Sequence, residues 1–296
     1  MVCLASSDAG LLQRLLDPVS AEFTTGEGVV ATVVGLAVCG LLLLAILKIL
    51  RSFGPRGGEL DRDSLILGLP LAFGVFALPV LIQVILRGQD AQAHRLERGV
   101  LLVAVTVASI WVLRKSPLRT TQANLPEWTS LHPSAVPKVL GVWLLSFPLM
   151  AAAGAVGVGV STLLGIDIDP QPAISDLKAA REPLEIAGWY LLVTAGAPMS
   201  EEFVFRLILY GALAGPLAGL AAASRSQWVR DNAGQLAALV ISLSLFVLVH
   251  DVLTIGQQHL IVPLAALSLV LTGLYAYSRS IWPPVILHAL HNATVV

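Results

Sequence analysis

Long apolar runs without charged side chains dominate the chain and predict its secondary structure. Residues 28–47, 64–86, 139–166 and 207–224 contain no Asp, Glu, Lys or Arg, and a helix needs about 17–25 such residues to cross a bilayer. Apolar positions follow one another continuously instead of alternating with polar ones, which argues against a transmembrane β-barrel. Lipid offers the backbone no hydrogen-bond partners, so these runs are predicted to be helices.

The predicted fold class is all-α, a polytopic transmembrane bundle of about 7–8 spans. The stretch 184–224 has two interpretations: two tightly joined spans, or one long helix broken near Gly215 and Pro216. The predicted spans are 28–50, 64–86, 99–113, 138–165, 184–206, 207–224, 235–257 and 261–277, followed by a short terminal helix at 281–295.

Composition and charge agree with a membrane protein. Hydrophobic residues make up 56% of the 296 residues and charged residues only 12%, which excludes an ordinary soluble domain. The net charge of −1 gives no basis for binding nucleic acid. Arginine outnumbers lysine, and Ala, Gly, Val and Leu are abundant, as is typical of GC-rich coding. We therefore expect a multi-pass protein of a bacterial plasma membrane.

Candidate chemistry divides the chain into two regions. Residues 1–183 contain no motif, and Lys48 and Lys138 are charges only at the ends of predicted spans, so we expect an N-terminal membrane-spanning region of unassigned role. Residues 184–296 carry ionisable side chains inside apolar sequence and are predicted to be the catalytic membrane core. A charge at bilayer depth costs about 2.5–3.5 kcal/mol, so such residues typically face a polar cavity and serve a function.

The first cluster of polar residues is Glu201, Glu202 and Arg206. Glu202 and Arg206 are four residues apart, the helical spacing that pairs a carboxylate with a guanidinium, and we expect them to neutralise each other. Adjacent helical residues point about 100° apart, which leaves Glu201 without a local counter-ion. Such a carboxyl group suits a general base. The alternative is that Glu201 caps a helix end near Pro198.

The second cluster is Phe246 and His250, again four residues apart. The aromatic ring is predicted to pack against the imidazole one turn later and to fix its rotamer. The alternative is a hydrogen-bonded core histidine without a catalytic role. Asp251 follows directly and points about 100° away on a helix, so its partner is open, with Thr254 as one candidate.

The third cluster is His288 and Asn292, with the same spacing. One helix face then carries an imidazole and an amide, which suit metal or water ligation or hydrogen bonds to an oxyanion. His291 lies three residues from His288 and is also close to this face. The alternative is a polar C-terminal tail at the membrane interface.

The three clusters together resemble one protein family. The order Glu-Glu-x-x-x-Arg, Phe-x-x-x-His and His-x-x-x-Asn is similar to the CAAX-protease and bacteriocin-processing (CPBP) intramembrane proteases, also called the type II CAAX prenyl endopeptidase or Abi family. The resemblance covers residues 184–296. It implies catalytic roles for Glu201, His250 and His288. Supporting positions are Glu202, Arg206, Phe246 and Asn292.

An intramembrane protease without a serine nucleophile motif is expected to use an activated water. No His-Glu-x-x-His zinc motif and no Gly-x-Ser-x-Gly nucleophile motif is present. We expect Glu201, aided by His250, to deprotonate the water, with His288 and Asn292 stabilising the oxyanion or holding the water. The alternative is metal assistance, in which Glu201, His250 and His288 bind Zn²⁺ and leave one position open.

The expected partners are the lipid bilayer and a membrane-associated peptide or protein substrate. Two other functions fit an apolar chain with intramembrane Glu and His. The first is a proton-coupled transporter, for which internal repeats are expected and none is visible. The second is a catalytically inactive membrane scaffold or immunity protein that has kept the fold.

Overall fold

A computed structural model describes residues 24–52, 68–75, 77, 95–115, 133–221 and 223–295, and every regular element within them is helical. This confirms the all-α class. Residues 68–75 are helical, and short 3₁₀ turns precede two of the longer helices at Pro133–Ala135 and Gln258–Leu260. The labelled elements are α1 (Thr25–Arg51), α2 (Arg95–Lys115), α3 (Val136–Leu164), α4 (Pro172–Ala179), α5 (Pro183–Leu191), π1 (Leu192–Gly196), α6 (Ala197–Glu201), π2 (Glu202–Ala212), α7 (Ala214–Ala221), α8 (Gln227–Leu248), α9 (Ile261–Ser278) and α10 (Trp282–Val295).

Helices long and apolar enough to cross a membrane are present, and the described residues do not confirm the expected number of 7–8 spans. The stretches long and apolar enough to cross a membrane are Thr25–Arg51, Arg95–Lys115, Pro133–Leu164, Pro183–Leu220 and Gln258–Ser278, five within the described part of the chain. The predicted span 64–86 lies largely outside the described residues. Within the stretch 184–224, Pro183–Leu220 counts as one candidate span of 38 residues, and its helical path has a turn at Leu213, two residues before Gly215. Asn232–Leu248 is a shorter apolar helix.

The prediction of a helix over 235–257 is wrong at its C-terminal end. Helix α8 ends at Leu248, and the chain then turns, with Asp251 at φ 55° and Gly256 at φ 90°. A positive φ is not part of a right-handed helix, so the chain does not continue as a helix through Asp251. Asp251 is therefore exposed in a turn instead of inside a span, and its carbonyl accepts the Thr254 N–H at 2.9 Å.

Small residues let α1 and α3 pack closely. A methyl group on Gly159 would overlap Thr32 Oγ1 and lie 2.5 Å from the Gly28 carbonyl oxygen. A methyl group on Gly35 would lie 2.6 Å from a Val156 methyl. Such contacts are shorter than van der Waals distances, so only glycine fits, as is common where membrane helices pack through small residues. The two helices form the closely packed N-terminal part of the bundle.

Two apolar clusters join the N-terminal helices to the helices that carry the polar motifs. One cluster contains Ile46 of α1, Val142 and Leu149 of α3, Leu271 of α9 and Leu287 of α10. Because α9 and α10 bury side chains against α1 and α3, the N-terminal region fixes where α10 presents its polar residues. The second cluster surrounds π2 and includes Phe203, Phe205, Phe246, Tyr275 and Val285, among others.

Candidate active site

A change of helix type occurs between the two adjacent glutamates. Glu201 ends α6, and Glu202 begins π2, which continues to Ala212. A π-helix pairs each backbone N–H with the carbonyl five residues earlier, which widens the turn and changes the direction of the side chains. Such segments are frequent at functional sites. The sequence expectation of uniform α-helical geometry at these two residues is therefore not met.

Glu201 faces two histidines from two other segments of the chain. Its Oε2 atom lies 3.8 Å from His250 Nε2 and 3.9 Å from His288 Nε2. The Oε2 atom is buried and has no hydrogen-bond partner among the described residues, while the Glu201 side chain as a whole is 15% exposed. The structure thus brings together the three residues predicted to be catalytic, from the end of α6, from the turn after α8 and from α10.

His288 lies between the two carboxylates. Its Nδ1 atom is 2.8 Å from Glu202 Oε1, and its Nε2 atom faces Glu201. Glu202 is fully buried, and the His288 side chain is only 3% exposed. The adjacent glutamates therefore face opposite nitrogens of one imidazole ring. The expected approach of Glu202 to Arg206 is present, whereas its contact with His288 is one that helical spacing does not predict.

Hydrogen bonding assigns the proton of each neutral imidazole. His250 Nδ1 lies 2.7 Å from the Phe246 carbonyl oxygen, which can only accept, so Nδ1 donates. His288 Nδ1 donates in the same way to the Glu202 carboxylate. In their neutral forms both histidines then present an unprotonated Nε2 atom to Glu201, so three acceptor atoms converge on one small region.

Arg206 pairs with Glu202 inside the protein. Arg206 Nε lies 3.1 Å from Glu202 Oε2, and both side chains are fully buried. Neither of these two atoms has an aligned hydrogen bond among the described residues, so the contact is an ion pair by distance alone. The guanidinium also lies over the Phe246 ring, 4.4 Å from its centroid, a cation–π contact.

Phe246 contacts both histidines as well as Arg206. Its ring centroid is 4.6 Å from that of His250 and 6.0 Å from that of His288. The Phe246 side chain is fully buried, so its own position is fixed by packing. The expected contact with His250 is present in the structure, and one ring supports the imidazoles of two different segments.

Asn292 lies on α10 one turn after His288 and is partly buried. Its Nδ2 atom donates to the Val193 carbonyl oxygen in π1 at 2.8 Å. One amide N–H is therefore used to join α10 to π1 instead of pointing freely at a substrate. His291 is also partly buried, and its Nδ1 atom has no hydrogen-bond partner among the described residues.

Glu201, His250 and His288 have side chains of the kind that bind zinc, but they are not arranged as a zinc site. A carboxylate and two imidazoles are a usual donor set, and metal-binding histidines commonly donate their second ring N–H, as both do here. Within the described ranges, however, no group of three or more His, Cys, Asp or Glu side chains is arranged to hold a metal ion. The contacts of 3.8 and 3.9 Å between Glu201 and the two imidazoles are too long for direct hydrogen bonds.

Two buried serines that contact π2 lie outside the three motifs. Ser268 of α9 accepts from Arg206, and Ser242 of α8 donates to the Phe205 carbonyl oxygen at 2.6 Å. Single serines inside apolar spans have no distinctive spacing, so sequence reasoning did not find them. Their position within otherwise apolar helices was the one available signal, because a buried hydroxyl needs a partner.

Comparison with known families agrees with the motifs. Residues 183–294 match the family model described as Rce1-like, type II CAAX prenyl endopeptidase Rce1-like. This match confirms the resemblance that the three motifs indicated and covers the region that contains every residue of the site. Neither a curated protein nor a solved structure matches the chain.

Proposed function

We propose that this chain, whose residues 183–294 belong to the type II CAAX prenyl endopeptidase family, is an intramembrane endopeptidase that uses an activated water. Its substrate is a peptide or protein held at the membrane. The family is one of peptidases, and several helices are long and apolar enough for a multi-pass membrane protein. The assignment of catalytic roles to Glu201, His250 and His288 belongs to this proposal.

The observation that carries the proposal is the position of Glu201. A buried carboxylate oxygen without a hydrogen bond from the described residues faces two imidazole nitrogens that carry no proton in their neutral forms. Acceptors gathered in this way suit a molecule that donates hydrogen bonds, and water is such a molecule. The partial exposure of His250, 20% of its side chain, leaves this side of the site accessible.

Hydrolysis then needs few groups. Glu201 accepts a proton from the water while the water oxygen forms a bond to the scissile carbonyl carbon. The tetrahedral intermediate collapses when the carbon–nitrogen bond breaks, and the proton passes from Glu201 to the leaving amine. His250 accepts a hydrogen bond from the second O–H of the water through Nε2 and so orients the oxygen for attack.

His288 and Asn292 are proposed to assist on the other side of the water. When its ring is protonated, His288 can donate a hydrogen bond through Nε2 to the water oxygen or to the oxyanion that forms from the carbonyl. One N–H of Asn292 donates to the Val193 carbonyl and holds α10 against π1. Its second N–H remains to donate to the water or the oxyanion. If the enzyme is metal-dependent, Glu201, His250 and His288 would hold Zn²⁺, which supplies a Lewis acid that activates water.

The first experiment measures cleavage of a fluorogenic, prenylated peptide ending in a CAAX sequence by the purified full chain in liposomes. Glu201→Gln is expected to lower kcat by about 10²–10⁴-fold, because the amide cannot accept the proton. Glu182→Gln is the matched control, since Glu182 is an exposed carboxylate just before α5. Full activity of Glu201→Gln would show that the base assignment is wrong.

A second experiment separates the water-only and metal-assisted versions. The purified protein is treated exhaustively with a chelator, its metal content is measured, and cleavage is assayed before and after addition of Zn²⁺. Loss and zinc-dependent recovery of cleavage would support the metal-assisted version. Unchanged cleavage by a protein without bound metal would support the water-only version. The natural substrate can be sought by comparing membrane peptides of a wild-type strain and a Glu201→Ala strain.

A further inference from the structure

We propose that Ser268 is a positioning residue for the site, acting through Arg206 and Glu202 on His288. The inference rests on the proposed function, because it concerns how the same site is held in its working geometry. Ser268 is fully buried on α9 and belongs to none of the three motifs. Its side chain touches Arg206 and is separated from the imidazole by two further side chains.

Ser268 provides the hydrogen bonds of the Arg206 guanidinium. Arg206 Nη2 donates to Ser268 Oγ at 3.1 Å and to the Ser268 carbonyl oxygen at 3.4 Å. Arg206 Nη1 and Nε have no hydrogen-bond partner among the described residues. Within the described part of the chain, the direction of this guanidinium is therefore set by Ser268, the ion pair and the Phe246 ring.

The direction of the guanidinium matters because Glu202 has two neighbours. Its Oε2 atom faces Arg206 at 3.1 Å, and its Oε1 atom accepts from His288 at 2.8 Å. A guanidinium offers several N–H groups and pairs readily with both oxygens of a carboxylate. If Arg206 turned toward Oε1, it would compete with His288 for that acceptor. Ser268 holds Nη2 on the α9 side and so leaves Oε1 to the imidazole.

The consequence for His288 is a fixed ring. Without a firm acceptor at Nδ1, the imidazole can exchange its proton between the two nitrogens or rotate about its side-chain bonds. Either change alters what Nε2 presents to Glu201, which lies 3.9 Å away. Groups that orient a functional histidine through its second nitrogen are commonly important for activity.

Ser242 provides a matched control. Ser242 and Ser268 are both fully buried serines on helices that pack against π2. Ser242 Oγ donates to the backbone carbonyl of Phe205 at 2.6 Å, whereas Ser268 Oγ accepts from the Arg206 side chain. Removing either hydroxyl takes one buried hydrogen bond from π2, but the bond lost at Ser268 is the one that directs the guanidinium.

The kinetic experiment compares Ser268→Ala, Ser268→Thr, Ser242→Ala and wild type with the prenylated fluorogenic peptide in liposomes. Ser268→Ala is expected to lower kcat by about 10-fold without changing KM, at the lower end of the effect of groups that orient an active-site histidine. Ser268→Thr keeps the hydroxyl and is expected to restore kcat. Ser242→Ala is expected to keep the wild-type kcat. An equal loss in both alanine variants would overturn the inference.

A spectroscopic experiment tests the same inference without cleavage. Nitrogen NMR of histidine-labelled protein, with a His288→Gln variant for assignment, reports which ring nitrogen carries the proton. Wild type and Ser242→Ala are expected to show the proton on Nδ1, and Ser268→Ala a mixture of the two forms. An unchanged His288 signal in folded Ser268→Ala would overturn the inference. If no variant cleaves the peptide but the signal shifts, the proposed function fails for this peptide and the positioning role stands.

Discussion

The two histidines facing Glu201 are held in different ways. His250 lies just beyond the end of α8, its side chain is 20% exposed, and its Nδ1 atom donates to a backbone carbonyl. His288 lies within α10, is 3% exposed, and its Nδ1 atom donates to a buried carboxylate. The open side of the site, at His250, therefore depends on the main chain. The closed side, at His288, depends on the side chains of Glu202, Arg206 and Ser268.

This difference determines where substitutions can act. No side-chain substitution removes the Phe246 carbonyl that orients His250, whereas three separate side chains orient His288. A buried ion pair also carries a large desolvation cost, and removing one member leaves the other charge without compensation. We therefore expect the closed side to be the more sensitive part of the site in stability as well as in activity.

The largest expected effect is on the buried ion pair. Arg206→Met should lower the free energy of unfolding by about 3–5 kcal/mol, because it leaves the Glu202 charge buried without its partner. The measurement is reversible unfolding in mixed micelles. Arg206→Met combined with Glu202→Gln should be less destabilised than Arg206→Met alone. The prediction fails if the double variant is the less stable of the two.

The next effect compares the histidines directly. His288→Gln should lower the free energy of unfolding by about 1.5–3 kcal/mol, the usual value of a hydrogen bond to a charged group. His250→Gln should change stability less, since its side chain is partly exposed and its partner is uncharged. Both variants should lose cleavage. Equal destabilisation by the two variants would contradict the distinction between the open and closed sides.

Phe246 contacts both the open side of the site, at His250, and the closed side, at His288. Phe246→Leu should be more destabilising than Phe205→Leu by about 1–2 kcal/mol, because Phe246 has the closer cation–π contact with Arg206 and also contacts both imidazoles. Both rings are buried and pack edge-to-face on each other, so Phe205 is a matched control. Thermal unfolding and kcat should rank the two variants in the same order.

The smallest expected effect concerns Asn292. Asn292→Ala should lower the free energy of unfolding by about 1 kcal/mol through loss of the hydrogen bond to Val193. Asn292→Asp should not restore this stability when the carboxylate is ionised, because it has no N–H to donate to the carbonyl. Wild-type stability of both variants would show that this contact does not hold α10 against π1.

The sequence predicted which residues come together in the site, but it did not predict all of the contacts between them. The four-residue spacings correctly indicated Glu202 beside Arg206, within π2, and Phe246 beside His250, where the chain keeps the two residues close although the helix ends between them. The contact of Glu202 with His288 spans 86 residues, and no local spacing contains it. The change from α to π geometry after Glu201 was also invisible in the sequence.

For the fold, hydropathy predicted where helices occur but not where every helix ends. Apolar runs predicted helices, and the terminal helix expected at 281–295 is present as Trp282–Val295. Hydropathy did not find the turn after Leu248, since Val249, Val252, Leu253 and Ile255 continue the apolar run. The positive φ angles of Asp251 and Gly256 belong to the turn that follows the helix, and hydropathy does not report backbone angles.

The close packing of α1 against α3 has a consequence for how the chain tolerates change. At Gly35 and Gly159 even one added methyl group meets neighbouring atoms at 2.6 Å or less. These positions are far from the polar motifs in sequence, yet they admit no larger side chain without moving a helix that supports α9 and α10. The N-terminal helices thus limit the chain's mutational freedom through size, while the region with the polar motifs limits it through charge.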